Sequence, residues 1–234
     1  MADTRIWDEL SQHFDVHDDI NPHTADNILM AWPPILRLLE ECVPQGGRVL
    51  EYGCGTGGFV KKLASLGYSV TGIDPSSKMI EVAQSYLRER LLVGDASAIP
   101  EGETFDAITA VLVFLFEYDI ERTFKALAAH LNPGGVMMFA VLNPEFVRKC
   151  VAIKYLLRDF ASADCVGKGT LDFGNGRTTD VYIRTAAEYD AAMSASFAKV
   201  LEEYPPFTKE FLEKYNDGRP TDVPEFLVLG YKKA

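Results

Sequence analysis

The feature that most limits how this chain can fold is the run RVLEYGCGTGG at 48–58, an apolar strand-like stretch that turns through glycines into an amphipathic stretch. Glycines at 53, 55 and 57 let the backbone turn sharply and leave room for a ligand where a Cβ would stand. A helix that starts after such a turn directs free N–H groups at that ligand. The same rhythm continues: YSVTGI (68–73), RLLVG (90–94), FDAITAV (105–111) and VMMFAVL (136–142) read as strands, with helices over 57–66, 76–88 and 119–131 between them. Strands apolar on both faces and separated by helices predict a parallel sheet covered on both sides. Asn132-Pro133-Gly134-Gly135 ends the last of these helices ahead of the fifth strand.

The flanks differ. Residues 1–47 read as helical, with Trp7, Leu10 and Phe14 able to share one face. A second helical run follows Thr24, a candidate N-cap, and Pro33-Pro34 either kinks it or opens a new helix ending near Cys42. After the fifth strand a helix is expected over 145–160. GTLDF and TTDVYIR then flank Asn175-Gly176, a hairpin signal. A helix (186–195) and strands FAKVLEEY (197–204) and EFLVLGYKK (225–233) complete the chain, with an amphipathic piece, FTKEFLEKY, in the long connection between those strands. The whole is expected to be one domain: a helical cap (1–47), a ligand-binding core (48–142), an insertion (143–184) and the closing part of the sheet (185–234).

Composition narrows the function. Lys and Arg number 23 against 34 Asp and Glu, a formal charge of −11, and no basic stripe is present to grip phosphates. Nucleic acid and anionic membrane surfaces are therefore not expected as partners. No apolar run approaches the ~18 residues of a membrane span, and the first residues lack a signal-peptide pattern. Cys42, Cys54, Cys150 and Cys165 form no CxxC pair or zinc spacing. Reduced thiols in a cytoplasmic protein are the expectation. His13 and His17, spaced i, i+4 beside Asp15, Asp18 and Asp19, imply no third ligand, so no metal site is expected.

Gly53, Gly55 and Gly58 also satisfy the dinucleotide pattern GxGxxG, and Asp74 at the end of the second strand suits a ribose in either reading. The neighbours favour a cofactor without phosphate. Glu51, two residues before the first glycine, suits a charged amine and would repel a pyrophosphate. Asp95, after the third strand, can accept from an adenine amino group.

With those residues in place, the chain resembles the class I S-adenosylmethionine-dependent methyltransferases, bacterial-type small-molecule enzymes among them. The match runs in order through VLEYGCGTG (49–57), GIDPSSKMIEVA (72–83), GDASAIP (94–100), FDAITA (105–110) and LNPGG (131–135). The resemblance implies an α/β, Rossmann-like, seven-stranded and mostly parallel sheet whose last strand is antiparallel. A helical N-terminal cap and a lid insertion after the fifth strand would flank it. It implies S-adenosylmethionine as cofactor and S-adenosylhomocysteine as product. Glu51, Gly53, Cys54, Gly55 and Gly57 would hold the methionine portion, with Cys54 there as packing. Asp74 would take the ribose hydroxyls, Pro75 and Met79 would lie against adenine, and Asp95 with Ala96 would read its edge. Val111 would border the methyl group. Transfer by in-line displacement to N or O of a small-molecule acceptor follows. A non-catalytic nucleoside-binding partner protein and an NAD-dependent oxidoreductase are the alternatives.

The acceptor is expected under residues 1–40 and the insertion. Trp7, Phe14, Phe114, Phe116, Tyr118, Phe146, Tyr155, Phe173 and Tyr182 are candidates to line it, at least half of them ordinary packing. Many similar enzymes carry a histidine just after the fourth strand. VLVFLFEYD (111–119) has none, which leaves Glu117, Tyr118 or His17 as candidate bases. Asn143 and Arg184 are candidate acceptor contacts. A monomer or homodimer is expected; exposed aromatics on the cap or the insertion would support a dimer.

Overall fold

A computed structural model describes residues 4–11, 20 and 24–234. Alternation along the strands sets the architecture. Val49, Val70, Ala107, Val136, Met138, Ala140 and Val228 face one core, and Leu50, Ile73, Ile108, Met137, Phe139, Val141 and Leu229 face the other. A sheet apolar on both faces requires cover on both.

The chain begins with α1 (Arg5–Leu10), then a π-turn (Asn27–Ala31) that runs into α2 (Trp32–Cys42). Pro33 and Pro34 open α2 rather than kink it. The Trp32 N–H reaches back five residues to the Asn27 carbonyl, a widened turn that leads into the two prolines. β1 (Arg48–Tyr52), α3 (Gly58–Ser65), β2 (Ser69–Asp74), α4 (Ser77–Gln84), β3 (Arg90–Val93), β4 (Phe105–Val111), α5 (Ile120–Ala129) and β5 (Leu131–Leu142) follow. Next come α6 (Pro144–Ile153), β6 (Leu157–Arg158), β7 (Gly167–Asp172) and β8 (Thr178–Ile183). α7 (Ala186–Ala192), β9 (Phe197–Glu203), α8 (Lys209–Lys214) and β10 (Phe226–Lys233) complete the chain.

The main sheet has seven strands in the order β3-β2-β1-β4-β5-β10-β9. β1 to β5 are parallel, and β10 lies antiparallel between β5 and β9. α2 and α3 cover one face, α5 and α7 the other. Phe139 anchors the second core, its ring within 5.0–5.9 Å of Phe114, Phe124, Tyr189 and Tyr231. Burying one such ring contributes about 1.5–3 kcal/mol.

Three expected elements change. The helix expected over 145–160 ends at Ile153, because Lys154 adopts a left-handed conformation (φ 58°), and 157–158 become a strand. The helix expected over 76–88 stops at Gln84, and Tyr86 and Leu87 brace the glycine loop instead. LNPGG belongs to β5 itself, with Asn132 Nδ2 donating to Asp106 Oδ1 at 2.9 Å. The hairpin forms as expected. Asn175 and Gly176 both have positive φ, and the Arg177 N–H donates to the Gly174 carbonyl at 3.0 Å. β6, β7 and β8 make a separate three-stranded sheet over a third core, which holds Leu115, Phe146, Val147 and Val181. Among the described residues no helix is long and apolar enough to cross a membrane.

Candidate active site

The carboxyl ends of β1, β2, β3 and β4 lie side by side, because these strands are parallel neighbours. The turn after β1 is fixed from below. Gly53 and Cys54 both donate their N–H to the Ile73 carbonyl, at 2.8 and 2.9 Å, and the Gly57 N–H donates to the Cys54 carbonyl at 2.9 Å. Gly53, Gly55 and Gly57 all have positive φ, which side chains rarely tolerate. A Cβ at Gly53 would stand 2.3 Å from Val113, so that glycine lets the segment after β4 close on the loop. A Cβ at Gly55 would meet nothing within 4 Å, so the loop is open above that glycine. The Tyr86 hydroxyl holds the far end of the loop by donating to the Thr56 carbonyl at 2.6 Å.

Three carboxylates stand at this edge. Glu51, in β1, is buried, and its carboxyl accepts from the Thr109 hydroxyl. Burial pushes its pKa up to about 8, partly offset by that bond. Asp74, ending β2, accepts from the Gly55 N–H (Oδ2, 2.9 Å) and the Ser76 N–H (Oδ1, 2.8 Å). Burial raises its pKa despite those bonds, and Asp8 adds to the rise. Asp95 accepts from the Ser97 hydroxyl and N–H at 2.6 and 2.9 Å, which lowers its pKa.

The donor set fits S-adenosylmethionine. A buried carboxyl short of a cation suits its ammonium, and two further carboxylates suit hydroxyl and amino donors. A pyrophosphate would meet three acids and no described basic side chain in the loop. Met79 and Ala96 are buried beside these acids, Pro75 links Asp74 to Ser76, and Val111 ends β4 half-buried.

The acceptor candidates divide. Trp7 on α1 packs edge-on against Phe116 (ring centroids 4.8 Å apart) and Phe173 (5.8 Å). These contacts join the cap, the segment after β4 and the hairpin turn. Tyr118 is 79% exposed and packs edge-on against Tyr182 at 5.5 Å. The structure places others in the framework. Phe114 is fully buried within the Phe139 cluster. Asn143 caps α6, accepting from the Glu145 N–H and donating to the Pro224 carbonyl at 2.8 Å. The Arg184 guanidinium donates to the Glu117 and Tyr118 carbonyls at 2.6 and 2.9 Å. The Glu117 carboxyl bonds with Tyr52 and Thr123, and burial raises its pKa. His17 and Phe14 lie outside the described residues, as do His13, Asp15, Asp18 and Asp19.

A polar cluster that sequence reasoning missed stands where β10 begins beside the end of β5. Buried Arg219 donates to Asp26, Asp217 and Glu225 at 2.9, 2.9 and 2.6 Å, and the Tyr155 hydroxyl donates to Asp217 at 2.6 Å. Its guanidinium also lies 5.1 Å from the centre of the Phe211 ring. Asp26 is 193 residues from Arg219 in sequence, so no local pattern could have joined them.

Comparisons with known proteins agree with this geometry. A family model described as a methyltransferase domain matches residues 27–177. The chain is 30% identical over 179 residues to a ubiquinone biosynthesis O-methyltransferase of Azoarcus sp. (strain BH72), an alignment spanning 72% of this chain and 70% of that one. It is 31% identical over 198 residues to the enzyme of the same name from Chelativorans sp. (strain BNC1), spanning 80% and 72%. Its fold is similar to that of an S-adenosylmethionine-dependent methyltransferase from Mesorhizobium loti, with a TM-score of 0.68 at 22% identity, covering 91% of this chain and 100% of that one. Sheet order, glycine loop, strand-end carboxylates and family match converge: the chain belongs to the class I S-adenosylmethionine-dependent methyltransferases.

Proposed function

We propose that this enzyme methylates a hydroxyl oxygen of a small aromatic acceptor. The observation that carries the reading is the meeting of Trp7, Phe116 and Phe173, aromatic rings from three separate segments, beside the cofactor edge. Two similar proteins named as O-methyltransferases support oxygen as the target. The net charge of −11 argues against a nucleic-acid acceptor.

When bound, S-adenosylmethionine supplies an electrophilic methyl group on a positively charged sulfur. Glu51 would hold the ammonium of the methionine portion, with Gly53, Cys54, Gly55 and Gly57 shaping the loop beside it. Asp74 would take the ribose hydroxyls. Pro75 and Met79 would lie against the adenine, whose edge Asp95 and Ala96 would read. Val111 would border the methyl group. The aromatic wall excludes water and holds the acceptor oxygen in line, which supplies much of the acceleration.

The segment after β4 presents Phe114, Leu115 and Phe116, and the Glu117 carboxyl is engaged by Tyr52 and Thr123. His130 pairs with the Glu103 carbonyl, at the opposite, amino edge of the sheet. A phenol, which ionises near pH 10, gives up its proton more readily than an aliphatic alcohol and fits the proposed aromatic acceptor. Arg184 shapes the wall by fixing the carbonyls of Glu117 and Tyr118, and Asn143 shapes it by capping α6.

Incubation with S-adenosylmethionine and a panel of phenols, catechols, primary amines and carboxylic acids, read by product mass, tests this. Methylated phenols or catechols are expected. Turnover confined to amines or carboxylic acids would overturn it.

A further inference from the structure

α1 has six residues, far below the roughly 12–15 at which an isolated helix persists, so tertiary contacts set its position. Two neighbouring side chains make them in opposite directions. Trp7 reaches the acceptor-side rings Phe116 and Phe173. Asp8 reaches the cofactor side, where its Oδ1 accepts from the Ser76 hydroxyl at 2.5 Å.

Ser76 occupies a special place. Its N–H donates to Asp74 Oδ1 at 2.8 Å, and its Oγ accepts from the Met79 N–H at 3.1 Å, capping α4. One residue therefore aims the strand-end carboxylate, starts the helix beside it and receives α1. The closeness of Asp8 to Asp74 is also felt electrostatically, as one cause of the raised Asp74 pKa.

We propose that Asp8 is a positioning residue for the cofactor: through Ser76 it fixes the orientation of Asp74, and through α1 it ties that orientation to the aromatic wall at Trp7. The hydrogen-bond path from this carboxylate to Asp74 runs by way of the serine. Loss of the bond frees the turn at 75–76 and loosens the seat of α1 beside α4. Adenosine is common to cofactor and product, so S-adenosylmethionine and S-adenosylhomocysteine are affected alike.

Titration calorimetry of the full chain with both ligands tests this. Asp8→Asn is expected to weaken both by about fivefold, because the amide oxygen still accepts from the Ser76 hydroxyl while the charge that strengthens the bond is gone. Asp8→Glu, which keeps the carboxylate, is expected to recover part of the loss. Glu9→Gln removes the same charge from an exposed position on the same helix and is expected to leave both affinities unchanged. In a Ser76→Ala background, Asp8→Asn is expected to add no further loss. Trp7 should become more open to acrylamide quenching in Asp8→Asn. Wild-type affinity within twofold in Asp8→Asn, or a full additional loss on top of Ser76→Ala, would overturn the relay. Wild-type binding in the same titrations separates failure of the relay from failure of the cofactor assignment.

Discussion

The proposed cofactor edge and the proposed acceptor-side cover are built by opposite strategies. The edge is local: Glu51, the glycine loop, Asp74 and Asp95 fall within 45 residues and are aimed by adjacent parallel strands. The cover is assembled from distant pieces: α1, the helical run from Asp26, the 143–184 insertion and the connection before β10. Backbone turns shape the first. Side chains that meet across long stretches of sequence hold the second, in the stack of Trp7, Phe116 and Phe173 and the Arg219 cluster. The contrast teaches that cofactor chemistry can be inherited as a short motif, whereas acceptor choice depends on the chain's full tertiary assembly.

The contrast can be broken most forcefully at Arg219. Arg219→Met leaves Asp26, Asp217 and Glu225 without their shared cation, and breaking a buried ion pair costs about 3–5 kcal/mol. The melting temperature should fall markedly. Hydrogen exchange should rise first in the residues around Asp26 and in 205–225, before it rises in β1–β5. Equal loosening of β1 and β2 would show that edge and cover are one unit.

Asp74→Ala is next. It removes the acceptor of two N–H bonds and the proposed ribose ligand, each bond to a charged group weighing roughly 1.5–3 kcal/mol. Calorimetry should show S-adenosylmethionine binding weakened at least tenfold. Unchanged affinity would misplace the cofactor.

Glu51→Gln sharpens the comparison through pH. The folded pKa near 8 lies above the ordinary 4.5, so the fold favours the protonated carboxyl. Its contribution to the stability of the cofactor-free protein is complete below pH 4.5 and is lost as pH rises towards 8. The variant should therefore match wild type near pH 4.5 and melt higher at pH 8, while binding S-adenosylmethionine less well. A variant that melts lower at pH 8 would contradict the burial argument.

The smallest effect is expected at the hairpin. Gly176 has φ 78° with open space around it, so Gly176→Ala costs about 1 kcal/mol of backbone strain and no clash. Thermal melting should record a small loss, with calorimetric S-adenosylmethionine affinity unchanged.

The same division explains what the sequence reveals. Short apolar or alternating runs expose β1, β2, β3, β4, β5, β9 and β10, and the glycines with Glu51 and Asp74 point to the proposed cofactor edge. β6 is hidden because two residues carry no period, and the end of α6 is set by a left-handed lysine that has no glycine to announce it. Trp7, Phe116 and Phe173 can be guessed as aromatics but not as a set, since 109 and 57 residues separate neighbours in that series. Asp8 gives no signal, because a lone acid in a helical stretch reads as a solvated surface residue.

The Arg219 cluster has a consequence for how such enzymes diversify. One cation serves carboxylates from the N-terminal helical run, the late connection and the start of β10. Replacing any one of these segments with one that lacks its ionic side chain would strand a charge inside the fold. In this chain the segments are therefore best exchanged together, or after the cluster has been replaced by apolar side chains.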